Sequence, residues 1–406
     1  MDKRGGDLIL FCVSYPYDKA LEHTFLKEEL HYLLQHFNNV YIAPQYKNDG
    51  DLAELPRGVK LIDDIHINLS QIKTIDKLKV FFNSLFYRYL LNALRSKSSF
   101  KKYISATLES LVIKSSLKHL VVHEKNTLLY SFWNDSSTLA CVKYKSDNPK
   151  VTVVTRCHNF DLYGIKENDF FVPYINYVFE KVDKVFPDSL AGSNYIHKNF
   201  KNVNCEPAIM GVANPGFRSK YSTDGVFRVF SCSYMIPRKR VGLILKGIIA
   251  AANQIDQQLE WYHIGDGPDK QKMQEIINQT LPPNVSANLL GNLSYAEMMD
   301  VYKNTPADLF MNLSEKEGTP VSLMESISCG IPILVTAFGG NKEIAEAGAG
   351  FTLPENPTES QVGDMIKTII LKEDLEVYRE GAIDVWKQNY WSRLNYQKFC
   401  NTLISL

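Results

Sequence analysis

The stretch "ADLFMNLSEKEGTPVSLMESISCGIPILVTA" (Ala307–Ala337) reads as a strand, a tight turn, a helix and a second strand. Both apolar runs are short and continuous rather than alternating, as in strands buried on both faces. Gly318 and Pro320 punctuate the turn, and Gly330 with Pro332 stops the helix. Pro320 suits the first helical position, because its fixed φ is helical and its missing N–H has no partner there. Thr319 is expected to cap. Leu323, Met324 and Ile327 share one arc at about 100° per residue. Glu325 points nearly the opposite way, with Ser322 and Cys329, and is expected to face a cleft or water. Strand, helix and strand in this order imply a parallel sheet covered by helices.

Outward from this unit the same alternation covers the chain. "LILFCVS" (8–14), "NVYIAP" (39–44), "HLVVHE" (119–124), "TVVTRC" (152–157) and "KVFPDS" (184–189) read as strands in the first half. "FRVFSCS" (227–233), "LEWYHIG" (259–265) and "SANLLG" (286–291) join the two runs above in the second. Helical patterns lie between them, such as "HTFLKEELHYLLQHF" (23–37) and "GLILKGIIAAANQI" (242–255). The Pro/Gly/Ser-rich segment 204–225 reads as a linker. The fold class is therefore α/β, with two doubly wound Rossmann-like domains at 1–205 and 206–385 and an aromatic closing helix at 386–406. Ligands of open parallel sheets bind beyond the carboxyl ends of the strands. Two such domains facing each other would form a cleft.

Composition narrows the function. The 406 residues carry 45 basic and 45 acidic side chains, a balance unlike that of a nucleic-acid binder. Seven scattered cysteines without a C-x-x-C pair suit a reducing compartment and no zinc or disulfide framework. The N-terminus reads as a first strand rather than a signal peptide, and no apolar run is long enough to span a bilayer. A cytoplasmic location is expected.

Glu317 and Glu325 stand eight positions apart, bracketing a helix start. Free N–H groups at that start suit phosphate or hydroxyl oxygens, and carboxylates are strong acceptors for paired hydroxyls. A nucleotide sugar offers both, with its hexose near Glu317 and its ribose near Glu325. Arg238, Lys239 and Arg240 sit just past a strand end, where a leaving diphosphate needs positive charge. Gly265 and Gly267 make a strand-to-helix turn but an incomplete dinucleotide fingerprint, since Lys270 stands at the third glycine. Asp49-Gly50-Asp51, the one D-x-D, has the composition of a surface turn, so no metal and no cofactor are expected.

"SEKEGTPVSLMESISCGIPILVTAFGGNKEIA" (314–345) resembles the E-x7-E signature of the family 4 GT-B glycosyltransferases, which are retaining enzymes of bacterial polysaccharide, O-antigen and capsule biosynthesis. The resemblance implies that Glu317 meets the donor sugar and Glu325 the ribose. Backbone at Gly318, Thr319, Pro320 and Val321 would meet sugar hydroxyls. "SCSYMIPRKR" is similar to the family's Arg-x5-Lys pattern: Lys239 fits the Lys, Tyr234 stands at the Arg, and Arg238 is the substitute. The turn at Gly265 and Gly267 would lie near the nucleotide, and Gly291 to Leu293 would meet the base. "TRCHNFDLY" resembles the family's R-x-H-x-x-D-x-Y, which places His158 at the transferred sugar and Arg156 on the acceptor side. Glu22 and His23, in a first loop without paired glycines, are acceptor-side candidates. The final helix resembles the one that crosses back to the first domain in this fold.

From Lys77 to Leu108, Lys77, Lys79, Arg88, Arg95, Lys97, Lys101 and Lys102 alternate with Phe81, Phe82, Phe86, Tyr87, Tyr89, Phe100 and Tyr103, with no acidic residue. Such a segment suits the surface of an anionic membrane. Together these readings point to a metal-independent retaining transferase acting on a saccharide or lipid-linked acceptor. A nucleotide-sugar epimerase or phosphorylase, and a non-catalytic nucleotide-sugar-binding module, are the rival readings.

Overall fold

The computed structural model describes residues 5–17, 22–47, 52–65, 67, 80, 84–94, 96–120, 127–164, 172–315 and 317–406. The chain divides into two compact units, Met1–Ile209 with Tyr396–Leu406, and Met210–Asn395.

The first unit holds a parallel sheet of β1 (Gly5–Cys12), β2 (Phe37–Pro44), β3 (Val59–Leu61), β4 (Thr127–Ser131), β5 (Thr152–Cys157) and β6 (Lys184–Pro187). Its order is β3-β2-β1-β4-β5-β6. The second unit holds β7 (Val226–Cys232), β8 (Gln258–Ile264), β9 (Val285–Gly291), β10 (Leu309–Asn312), β11 (Ile333–Thr336) and β12 (Gly350–Leu353), in the order β12-β11-β10-β7-β8-β9. Numbered within itself, each sheet winds 3-2-1-4-5-6. Each therefore has one switch point, where β1 lies beside β4 and β7 beside β10. Leu8 opposite Leu128 and Phe230 opposite Phe310 set the registers there. Phe11, Leu129 and Val153 are fully buried in the first core, and Val229, Trp261 and Leu334 in the second. Each such side chain stabilises its unit by about 1.5–3 kcal/mol.

Three details differ from the sequence expectation. "HLVVHE" does not form the strand beside β1: His119 and Leu120 end the helix Lys97–Leu120, residues 121–126 lie outside the described residues, and Thr127–Ser131 takes the place. Both runs are short and apolar, and periodicity alone cannot choose between them. The short strands β3 and β12 were not anticipated, since three and four residues carry almost no pattern. The unit boundary falls after Ile209 rather than 205, and residues 386–395 stay with the second unit. Trp386 Nε1–H donates to the Val212 carbonyl at 3.3 Å, and Val212 pairs with Trp391 as a β-bridge, which holds that segment in place.

Candidate active site

Pairing of β7 with β10 brings together the loops that follow them, 233–240 and 313–320. Three contacts lace these loops. The Glu315 N–H donates to the Arg238 carbonyl at 2.9 Å, and Arg240 Nε bonds Glu315 Oε1 at 3.1 Å. The Lys239 ammonium pairs with the Glu317 carboxylate, with side-chain exposures of 17% and 13%. The predicted phosphate cation and the predicted sugar carboxylate thus meet across 78 residues of sequence. Arg238 is half-buried on the same turn, Pro237–Lys239. Tyr234, where the family pattern has Arg, is exposed.

Behind this loop the Gly340 N–H donates to the Gly318 carbonyl at 3.0 Å, and a Cβ on Gly340 would stand 2.1 Å from that oxygen. Gly318 and Val321 are half-buried, while Thr319 and Pro320 are buried. Pro320 has ψ 124° and is the cap residue of the helix Val321–Ser328, so it is not the first helical residue and Thr319 lies outside the cap position. Gly265 has φ +134°, and a Cβ there would stand 2.1 Å from the Ser233 carbonyl. Together with Gly267 it lets the β8 turn pack under the β7 loop, a structural need that accounts for both glycines. The Gly265 N–H bonds the Gly291 carbonyl at 2.8 Å, which ties in the β9 end, where Leu293 is half-buried.

Glu325 departs from expectation. Leu323 to Ser328 are all buried, and Glu325 itself is 5% exposed, so it does not face water. Burial pushes its carboxyl up to about 8. Among the described residues its carboxylate has no hydrogen-bond or ion-pair partner. Cys232, Tyr302 and Cys329 feel its charge, and Cys232 also feels Lys239. Burial pushes both thiols up to about 12, so neither is an ionised nucleophile at neutral pH. Tyr302 Oη, Ser314 Oγ and both amide atoms of Asn341 are buried without a hydrogen-bond partner among the described residues. Sequence reading missed these three, although Asn341 stands in the quoted "FGGNKE".

In the first unit, the loops after β1, β4 and β5 interlock. Glu22, 1% exposed, accepts the N–H groups of Val13, Ser14 and Tyr15 at 2.6, 2.9 and 3.2 Å and the Trp133 indole N–H at 2.6 Å. All four of these bonds come from the chain's own β1 and β4 loops. The His23 side chain lies outside the described residues, as do Asp49, Gly50 and Asp51. Arg156 is likewise enclosed by contacts within the chain. It is fully buried, pairs with Glu29 at 3.0 Å, and donates to Tyr130 Oη at 2.7 Å and the Ala208 carbonyl at 2.5 Å. Its guanidinium lies 4.3 Å from the centre of the Phe399 ring, so it seats the chain's final helix on the first sheet. His158 directly follows β5, is buried, and packs its ring 4.2 Å from that of Trp133. Trp133 was not anticipated, because its strand was misplaced. The bounded run "TLLYSFWND" (127–135) was the available signal.

Residues 221–384 match the family described as "Glycosyl transferases group 1". The match lies within the second unit, which is similar to that family over these residues, and it includes Lys239, Glu317 and Glu325. Over 271 residues the chain is 24% identical to the "UDP-N-acetylglucosamine--peptide N-acetylglucosaminyltransferase GtfA subunit" of Streptococcus agalactiae, covering 63% of this chain and 51% of that protein. Over 87 residues it is 39% identical to the "O-antigen biosynthesis glycosyltransferase WbnH" of Escherichia coli, covering 21% of this chain and 24% of that one. The chain thus spans about half the length of the streptococcal relative. HepE of Anabaena, solved in complex with UDP and glucose, matches 98% of this chain and 100% of its own with a TM-score of 0.67 and 15% identity. That likeness shows the fold, the GT-B architecture of two Rossmann-like domains.

Proposed function

We propose that this protein is a retaining glycosyltransferase that moves a sugar from a nucleoside diphosphate sugar to a saccharide or lipid-linked oligosaccharide in cell-surface polysaccharide biosynthesis. The observation that carries the reading is the Lys239–Glu317 pair at the switch point of the second sheet. A cation and a carboxylate stand together where a diphosphate and a sugar would join. Lys239, helped by Arg238, stabilises the charge that develops on the diphosphate as the glycosidic bond breaks. Glu317 orients the sugar through its hydroxyls, and Glu325 holds the ribose. The two basic side chains supply the charge that a metal supplies in other transferases. Attack from the face that the phosphate leaves accounts for retention. The HepE structure holds UDP, and the streptococcal relative is named for UDP-N-acetylglucosamine, so a UDP-sugar is the first donor to test.

A location on the cytoplasmic membrane face is part of this reading. On and just after the helix Ser84–Ala93, Tyr87, Leu91 and Leu94 are exposed at i, i+4 and i+7, and Arg88, Lys97 and Lys101 are exposed near them in sequence. Phe86 and Tyr103 belong to the core instead, and Lys77, Lys79, Phe81, Phe82 and Arg95 lie outside the described residues. Flotation with anionic but not neutral vesicles is the expected outcome, and equal flotation with both would remove this part.

Calorimetry with UDP, GDP, ADP, CDP and dTDP tests the donor site. One nucleotide binds tightly, and Lys239→Ala weakens it at least about tenfold, or roughly 1.4 kcal/mol. Failure of all five to bind would overturn the transferase reading.

A further inference from the structure

His158 has an uncommon setting. Its side chain is nine-tenths buried, yet neither ring nitrogen makes a hydrogen bond among the described residues. The nearest carboxylate oxygen, Asp161 Oδ2, lies 3.8 Å from Nδ1, beyond hydrogen-bonding range. The polar contacts that define this corner are made by the backbone. Asp161 accepts the His158 N–H at 2.5 Å and the Asn134 N–H at 2.7 Å. The ring itself is held by aromatic walls, Trp133 at 4.2 Å and 48°, and Phe132 at 4.9 Å and 39°. Phe132 is fixed in the core, whereas Trp133 is half-buried and has one polar atom to orient it. That atom donates to Glu22 Oε1, which also accepts the Val13 N–H.

We infer that Glu22 and Trp133 are positioning residues for His158. The Glu22 carboxylate fixes the indole, and the indole wall fixes the imidazole, whose two buried ring nitrogens have no hydrogen-bond partner among the described residues. The chain of contacts crosses the switch point of the first sheet, from the β1 loop to the β4 loop, and reaches the end of β5. This rests on the proposed function in one respect, that His158 meets the transferred sugar or its acceptor.

The test is a double-mutant cycle with a spectroscopic readout. Trp133→Phe keeps an aromatic side chain but removes the N–H that Glu22 holds. It is expected to lower kcat about tenfold to a hundredfold, as expected for a misplaced group, with little change in KM for the donor. In a His158→Ala background the same substitution is expected to cost less than about twofold, because coupled residues are not additive. Ring nitrogen NMR signals of the nine histidines are expected to shift or broaden at His158 alone, in Trp133→Phe and again in Glu22→Gln. Equal losses in both backgrounds would show that Trp133 acts by itself and overturn the inference. An unmoved His158 signal in either variant would also overturn it. Absence of transfer by the wild type would sink the proposed function, while the NMR comparison would still decide the positioning.

Discussion

At the switch point of the first sheet, the β1 and β4 loops are joined through a carboxylate, Glu22, that accepts four hydrogen bonds. At that of the second, the β7 and β10 loops are joined by the ion pairs Lys239–Glu317 and Arg240–Glu315, Glu317 having Lys239 as its partner, and Glu325 nearby accepts no hydrogen bond among the described residues. The winding is the same and the residue type is the same, but the chemistry left over differs. A carboxylate saturated by backbone donors shapes a loop, because a ligand would have to displace bonds that are already good. A carboxyl group with one partner or none keeps hydrogen-bonding capacity for hydroxyls, as an acceptor when ionised and as donor and acceptor when neutral. The same distinction separates Arg156, enclosed by Glu29, Tyr130 and a carbonyl, from Lys239, whose one carboxylate partner a diphosphate can outcompete.

The contrast breaks most visibly at Arg156. Arg156→Met leaves Glu29 buried without its ion-pair partner, with only the Tyr130 hydroxyl still donating to it, and is expected to lower stability by about 3–5 kcal/mol in urea denaturation. An unchanged midpoint with a raised KM for acceptor would return Arg156 to the substrate side. Next in size is Glu317→Gln. Transfer is expected to fall about a hundredfold, the cost of losing one preorganised polar contact. Binding of UDP alone should tighten, because Lys239 is released from its partner, and calorimetry reads this directly. Weaker UDP binding would mean that the ion pair supports the phosphate site rather than competing with it.

Glu325→Gln sharpens the comparison through pH. Burial raises the folded carboxyl from 4.5 to about 8. The unfolded chain therefore loses this proton first as pH rises, and the wild type loses stability between pH 4.5 and 8, by about 1.4 kcal/mol per pH unit at most. The Gln variant lacks this loss and gains on the wild type across that window, with no further change above it. Denaturation at four pH values checks the trend, and a flat difference would reveal an ionic partner for Glu325. The smallest effect is expected at exposed Tyr234. Tyr234→Arg should leave stability within about 0.5 kcal/mol while UDP binds a few-fold tighter, because the change adds a cation at the position of the family's arginine. Unchanged affinity would mean that Arg238 already fills that role.

Much of this molecule could be read from neighbouring residues. Nine of its strands follow from short apolar runs and their punctuation, and the bracketed helix start at 317–325 follows from Gly, Thr and Pro in the turn. The misplaced strand shows the limit. "HLVVHE" and "TLLYS" have equal local claims, and only pairing with β1 chose the second. The error hid Trp133, and with it the reason for Glu22.

The sequence by itself determined the class of fold, the two-unit organisation and the residue types in the loops after β7 and β10, because periodicity and turn chemistry act within about ten residues. Only the tertiary structure decided which polar groups are already satisfied. Glu22 meets Trp133 across 111 residues, Glu29 meets Arg156 across 127, and Lys239 meets Glu317 across 78. Each pairing depends on which strands lie side by side at a switch point, and that order is set by packing of the whole sheet rather than by any local pattern.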